Sequence, residues 1–250
     1  MTALSPIINQ KFKGDIWRLE IDELSDNIFI EVRDHQQKQA SFASLNLANG
    51  NLNFIDLTTP ERWLTGIEAA CDGVLLLHNY QSATGPVHKG VIAVDAITGE
   101  TLWSNYNFAF DSLSDKGPLL YDTRIQPRKL FLADVKTGAT SRVTDALVYG
   151  EAINQIIAPE LLPAELSPVE KPVFGNSIHY LKHNNFRIVS LHTEANGLLN
   201  QYLYILDDTG IVYEDLLNPG IQKLQPEAFI MHKNRLVYIK NKAILKVFNL

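Results

Sequence analysis

Val91-Ile92-Ala93-Val94-Asp95-Ala96-Ile97-Thr98-Gly99-Glu100-Thr101-Leu102-Trp103 carries the pattern on which the fold turns. The run from Val91 to Val94 is apolar on both alternating faces, as in a strand buried on both sides. Asp95 follows and can fold its carboxylate onto the backbone two residues on, starting a turn. Gly99 accepts the positive φ that closes that turn. Hairpin loops of this length commonly end with a left-handed glycine beside a bulge. Ser44-Leu45-Asn46-Leu47-Ala48-Asn49-Gly50 precedes it with the same grammar, and Leu132-Ala133-Asp134-Val135-Lys136-Thr137-Gly138 follows it. Each copy is an apolar run, an Asp or Asn, a Thr-Gly or Asn-Gly, and a second run. Three copies in one context make a repeated β-hairpin rather than a common turn.

The spacing says what kind of repeat. Gly50, Gly99 and Gly138 lie 49 and 39 residues apart, and Trp17 and Trp63 keep phase with them at a separation of 46. Periods of about 40 to 50 residues with several strands each are the signature of propeller blades. Strands are expected near 17–21, 28–33, 41–47 and 52–55, then 63–69, 74–79, 90–95 and 101–103. A shorter third set falls at 108–110, 119–121, 129–134 and 140–143, and a later one at 178–181, 186–192, 202–206 and 211–213. The last set, 228–231, 235–239 and 243–248, lacks a fourth strand. Residues 7–12 could supply it and close the ring, which removes exposed edges. The expectation is therefore an all-β, single-domain β-propeller spanning 1–250, with five four-stranded blades and six as the alternative count.

The hairpin copies resemble the repeat of quinoprotein-like β-propellers, in which Ala93, Asp95, Thr98, Gly99 and Trp103 match the motif position by position. The likeness decays elsewhere: Asn46 and Asn49 replace Asp and Thr, Phe54 and Val143 stand in the Trp position, and Thr209-Gly210 follows a shortened turn. The first half also resembles an uncharacterised bacterial family of propeller-like proteins of unknown function. Glu31-Val32-Arg33-Asp34, Gly73-Val74-Leu75-Leu76-Leu77-His78 and His88-Lys89-Gly90-Val91-Ile92-Ala93-Val94-Asp95 carry that resemblance. It implies a fold and no activity. The quinone cofactor of the enzymes is not implied, because their adjacent cysteine pair has no counterpart beside the single Cys71.

Composition excludes several classes. With 22 Lys and Arg against 28 Asp and Glu, the net charge of −6 argues against a nucleic-acid partner, which would need a basic face. No segment approaches the roughly 18 apolar residues that span a membrane, and the N-terminus shows no basic start and apolar stretch of a secretory signal. One cysteine rules out an internal disulfide and suits a reducing compartment, so a cytoplasmic location is expected. Pro159, Pro163, Pro168 and Pro172 punctuate residues 152–172, which read as an apolar insertion with one helical turn near 163–166. That insertion and the ring face are the expected surfaces for a protein partner.

The candidate chemistry lies at strand ends. His78 closes one strand and His88 opens the next, so Tyr80 and Lys89 should meet them at one rim of the second blade. The matching rim of the first blade carries Glu31, Arg33 and Asp34, and Glu20, Glu68 and Glu151 fall near innermost strands. Polar residues at such rims converge on the usual propeller binding site. Glu31, Arg33, Glu68, His78, His88 and Lys89 are thus the ligand-binding candidates, against a competing reading as a hydrogen-bond network joining blades. No nucleophile motif is present, so no catalytic residue is assigned. His179 and His183 flank a hairpin tip, and no metal or cofactor is expected. Trp17, Trp63 and Trp103 read as packing residues. The expected function is a non-enzymatic binding or scaffold propeller. The alternative is a small-molecule or carbohydrate-active enzyme at the channel mouth.

Overall fold

In the computed structural model residues 4–82, 84–143 and 150–250 are described. Among them are 22 strands and one short 3-10 turn, Ala164–Leu166. β1 (Ile8–Lys11) begins the chain. Three antiparallel four-stranded sheets follow in simple meander order. The first holds β2 (Asp15–Asp22), β3 (Asn27–Asp34), β4 (Gln39–Asn46) and β5 (Leu52–Leu57). The second holds β6 (Thr65–Cys71), β7 (Val74–Ser82), β8 (Gly85–Asp95) and β9 (Thr101–Asn105). The third holds β10 (Phe108–Ser114), β11 (Gly117–Asp122), β12 (Leu130–Ala133) and β13 (Thr140–Arg142). These three sheets form one compact unit, residues 13–154.

Residues 1–12 and 155–250 form the other compact unit. After β14 (Ile156–Ile157), one sheet runs β15 (Glu160–Pro163), β16 (Ser177–His183), β17 (Phe186–Ala195), β18 (Leu198–Asp207) and β19 (Gly210–Ile221). The last strands are β20 (Ile230–His232), β21 (Arg235–Lys240) and β22 (Ile244–Asn249), in a sheet ordered β1-β22-β21-β20-β14. Ile8 pairs with Val247 and Lys11 with Ile244, so the two ends of the chain share a blade as expected. The fold is all-β, with five blade-like antiparallel sheets.

The segment 152–172 corrects the sequence reading. It is not an insertion outside the sheets. Its two short strands, β14 and β15, add a fifth strand to each of two sheets, pairing with β20 and β16. Both are edge strands, where a proline such as Pro163 is tolerated. Val169 is buried in the core formed by Ile178, Val189, Leu191, Tyr204 and Leu206. The helical turn falls where expected.

The repeat motif has a packing cause. In each copy the side-chain oxygen of Asn46, Asp95 or Asp134 accepts two backbone N–H groups of its own turn, at 2.8–3.1 Å. Threonine at the next motif position adds a hydroxyl donor to Asp95 and to Asp134. The glycine does more than adopt a positive φ. A Cβ on Gly138 would lie 2.7 Å from the ring of Trp103, and one on Gly99 would lie 3.2 Å from the ring of Phe54. The aromatic that ends one copy therefore lies flat on the glycine turn of the next. Trp103 also donates its indole N–H to Val135 O at 2.8 Å. The motif is a joint between successive sheets, made by the aromatic of one copy and the glycine of the next.

The second sheet is buried on both faces, which explains the unbroken run of Val74 to Leu77. Leu75 and Leu77 pack with Phe29, Phe42 and Ile67, while Val74 and Leu76 pack with Leu120, Ala133 and Val135.

Candidate functional site

The expected rim residues divide into two groups. Glu31 and Arg33 lie on β3, two apart and so on one face. Arg33 Nε donates to Glu31 Oε1 at 2.7 Å, and its remaining nitrogens donate to the carbonyls of Trp63 and Thr65. Glu31 Oε2 accepts the Ile67 N–H at 2.8 Å. Each polar atom in this pair has a partner, and every partner outside it is backbone of the second sheet or its approach. Arg18 does similar work, reaching Ile67 O and Glu68 O from β2. Asp34 caps its own turn. These residues join the first sheet to the second.

Glu68, His78 and His88 form the other group, and two bulges bring them together. In the β6–β7 ladder Ile67 pairs with Leu77 and Ala69 with Leu76, leaving Glu68 as the extra residue. In the β7–β8 ladder Leu77 pairs with Ile92 but Asn79 pairs with Lys89, and Gly90 at φ +72° takes up the slip. The slip puts His88 opposite Tyr80, on the face that already carries His78. It puts Lys89 on the other face, exposed, where the regular alternation would have placed it in the cluster. His78, Tyr80 and His88 therefore meet as expected, and Lys89 does not join them.

The cluster is tight. The two imidazoles stack with centroids 3.5 Å apart and planes within 8°. Tyr80 meets both edge-on, at 4.8 Å and 5.1 Å. Glu68 Oε2 lies 2.9 Å from His88 Nδ1 and 3.0 Å from His78 Nδ1. The contact with His88 is a hydrogen bond. The contact with His78 is short enough for one but is misaligned, so neither ring nitrogen of that buried histidine has a hydrogen-bond partner. Thr65 Oγ1 and Asn79 Oδ1, paired across the same two strands, are also buried without one. Burial alone would raise the Glu68 pKa; the two histidines outweigh it and hold the carboxyl below its usual value. Glu20 is raised by burial, which outweighs Arg18, and Glu68 adds to the rise.

Beside the cluster lies a cleft of about 350 Å³ lined by Trp17, Arg33, His35, Trp63, Tyr80 and Thr84, among others. Trp17 is 65% exposed, and Trp63 takes His35 edge-on at 5.4 Å and the Arg33 guanidinium over its face at 5.0 Å. Trp103 is the packing residue the sequence suggested. Trp17 and Trp63 line the cleft instead, and nothing in a strand pattern distinguishes an exposed aromatic from a buried one. Burial, with Asp22 and Asp72, pushes the Cys71 thiol up to about 11. His179 and His183 contact Pro226 O and Asn234 Oδ1 separately. Glu151 bridges Ser114 through its backbone, apart from the cluster.

Residues 21–103 match a family described only as a domain of unknown function (DUF4905). The matched stretch is about a third of the chain and contains Glu31, Arg33, Glu68, His78 and His88. No curated protein sequence matches this chain. Among solved structures, the chain is similar to the β-propeller domain of the Trilobed protease from Pyrococcus furiosus, at 11% identity and a TM-score of 0.35, covering 93% of this chain and 64% of that one. It is also similar to Raptor of Chaetomium thermophilum, at 10% identity and 0.32, covering 99% and 29%. A third likeness, to the Dos1 propeller, has 12% identity and 0.28, covering 99% and 76%. The chain thus spans less than two thirds of the first two, and scores this low bear on neither partner nor activity. Among the described residues no helix is long and apolar enough to cross a membrane.

Proposed function

We propose that this chain is a non-enzymatic binding propeller of a single domain, and that it holds its ligand in the cleft walled by Trp17 and Trp63. The exposed Trp17 ring at the edge of that cleft carries the reading. An aromatic surface with polar residues around it suits a small molecule or a protein side chain with a flat or apolar face. Arg33 sits at the back of the cleft with its donors already engaged, which disfavours an anion. The exposed Leu161 and Leu166, on the 152–172 segment, are the surface this reading offers to a protein partner. A cytoplasmic location belongs to the same reading, supported by the lone, half-buried Cys71. The likeness to quinoprotein-type repeats is structural, since Trp103 packing on Gly138 accounts for the motif.

The test is a tryptophan-fluorescence and thermal-shift screen with sugars, nucleotides, amino acids, quinones and short peptides. A ligand should quench or shift emission in the wild type and lose that effect in Trp17→Ala and Trp63→Ala. Silence across the panel, or a response unchanged in both variants, overturns the cleft. A small-molecule or carbohydrate-active enzyme is the second reading, favoured by the hydrogen bond between Glu68 and the partly exposed His88. It predicts a turnover that His88→Gln abolishes.

A further inference from the structure

We propose that Glu68, His78 and His88 bind one divalent transition-metal ion. The inference is independent of the cleft. One oxygen and two ring nitrogens, one from each residue, lie within 4.8 Å of one another. Two imidazoles and one carboxylate are the donor set that zinc and its first-row neighbours take, and calcium and magnesium would want oxygen alone. Three protein ligands leave a fourth position for water or a small ligand, as in open rather than structural zinc sites.

Burial separates this cluster from a chance grouping. His78 is 3% exposed and Glu68 11%, and His78 has no aligned hydrogen bond at either nitrogen. A proton bridges His78 Nδ1 and Glu68 Oε2 poorly, despite the 3.0 Å between them. An ion ligated by both atoms would lie off the line that joins them, on the axis of each lone pair. Bulges are a common way to aim site residues, and although the β2–β3 and β10–β11 ladders carry similar shifts, the two around His78 are the ones that bring Glu68 and His88 to it.

The surroundings fit as well. A Cβ on Gly66 would lie 3.1 Å from His78 Nε2 and 3.1 Å from Glu31 Oε2. A side chain at Gly66 would press on both groups, so glycine leaves the His78 ring room beside the Glu31 carboxylate. Because the rings are stacked, one must tilt to direct its lone pair at the same ion. His88, 32% exposed, has the room, whereas His78 is walled by Gly66 and Tyr80.

The test uses the full chain, stripped with chelator and titrated with cobalt(II) followed by visible absorption and with zinc(II) by calorimetry. One ion per chain is expected, with a cobalt spectrum of imidazole and carboxylate ligation and a raised melting temperature. His88→Gln and Glu68→Gln should each weaken binding by more than about 100-fold, while His179→Gln leaves it unchanged. His88→Gln keeps the buried residues intact, so its metal-free melting temperature checks the fold. Binding well below one equivalent, or binding that survives in folded His88→Gln and Glu68→Gln, overturns the proposal. Both readouts use metal alone, so a failure of the cleft in the fluorescence screen leaves them untouched.

Discussion

Asp215 and Glu68 are both nearly buried carboxylates ringed by ionisable side chains, and the two surroundings differ in what is left over. Asp215 receives Lys240 and Lys246 at 2.6 Å each and the Tyr238 hydroxyl at 2.8 Å, and Lys246 also donates to Tyr213. Burial would raise the Asp215 pKa, but those donors hold it below its usual value, and the same contacts raise Lys246 against its own burial. Around Glu68, by contrast, neither nitrogen of the His78 ring has a hydrogen-bond partner, and on the opposite face of the same two strands Thr65 Oγ1 and Asn79 Oδ1 also lack one. A closed network supports a fold. Buried polar atoms left over cost about 1–3 kcal/mol each, and a native site that keeps several needs an explanation such as a bound ion.

The comparison is broken most severely at Asp215. Replacing it with Ala strands two lysines that are 26% and 13% exposed, and removing one partner of a buried pair is strongly destabilising. A loss of about 3 kcal/mol is expected in urea melts, or roughly 6–12 °C in melting temperature for a chain of this size. Asp215→Asn keeps an acceptor for Tyr238 and should fall between wild type and Asp215→Ala. A loss under about 1 kcal/mol for Asp215→Ala would mean that both lysines reach water, and that the network is no strut.

A matched pair of smaller changes sharpens the contrast. Tyr238→Phe removes a hydroxyl bonded to a carboxylate and should cost about 1.5 kcal/mol. Thr65→Val removes a buried hydroxyl with no partner and should leave the metal-free protein equally stable, or more stable by up to about 1 kcal/mol. Opposite signs in two otherwise similar hydroxyl deletions are the expected result. If Thr65→Val also destabilises by more than about 1 kcal/mol, its hydroxyl is satisfied, and β6 and β7 hold fewer unpartnered atoms than the contrast with Asp215 requires.

Legibility followed the same division. The long strands were readable because burial on one or both faces leaves a period of two, or an unbroken apolar run, with turn residues marking each end. His78 and His88 were readable as neighbours because they fall on adjacent strands, but β7 runs on to Ser82 and β8 begins at Gly85, so the two lie within the strands and not at the ends the sequence suggested. Glu68 was named among the candidates, but the bulge that turns it to the histidines was not readable and Lys89 was misplaced, because a bulge changes which face a residue occupies without changing its spacing in sequence. Only Gly90 marks the slip, and a glycine in a strand has several other causes. The edge strands β14 and β15 were missed because two and four residues carry no measurable period. The recurrence of the motif was visible before its packing role was, because a ring of one sheet resting against a bare glycine of the next is a contact between distant residues.

The smallest expected effect lies at the surface, where a carboxylate is satisfied by its own turn. Asp95 accepts from the backbone N–H groups of Ile97 and Thr98 and from the Thr98 hydroxyl. The Thr98 N–H chiefly, against a smaller opposing effect of burial, holds its carboxyl below the usual value. Asp95→Ala should cost about 1 kcal/mol, as loss of a comparable capping acceptor does. Asp95→Asn should cost much less, because Asn46 already performs this role in the first copy with its amide oxygen. The two differ in pH dependence. A carboxyl lowered on folding contributes stability above its unfolded pKa, near 3.8, and that contribution disappears as pH falls through the lower folded value. Acid titration of stability below about pH 4 should therefore be shallower in Asp95→Asn than in wild type. Equal slopes would mean that charge adds nothing to the turn and that its acceptor geometry, shared by Asn46 and Asp95, is sufficient.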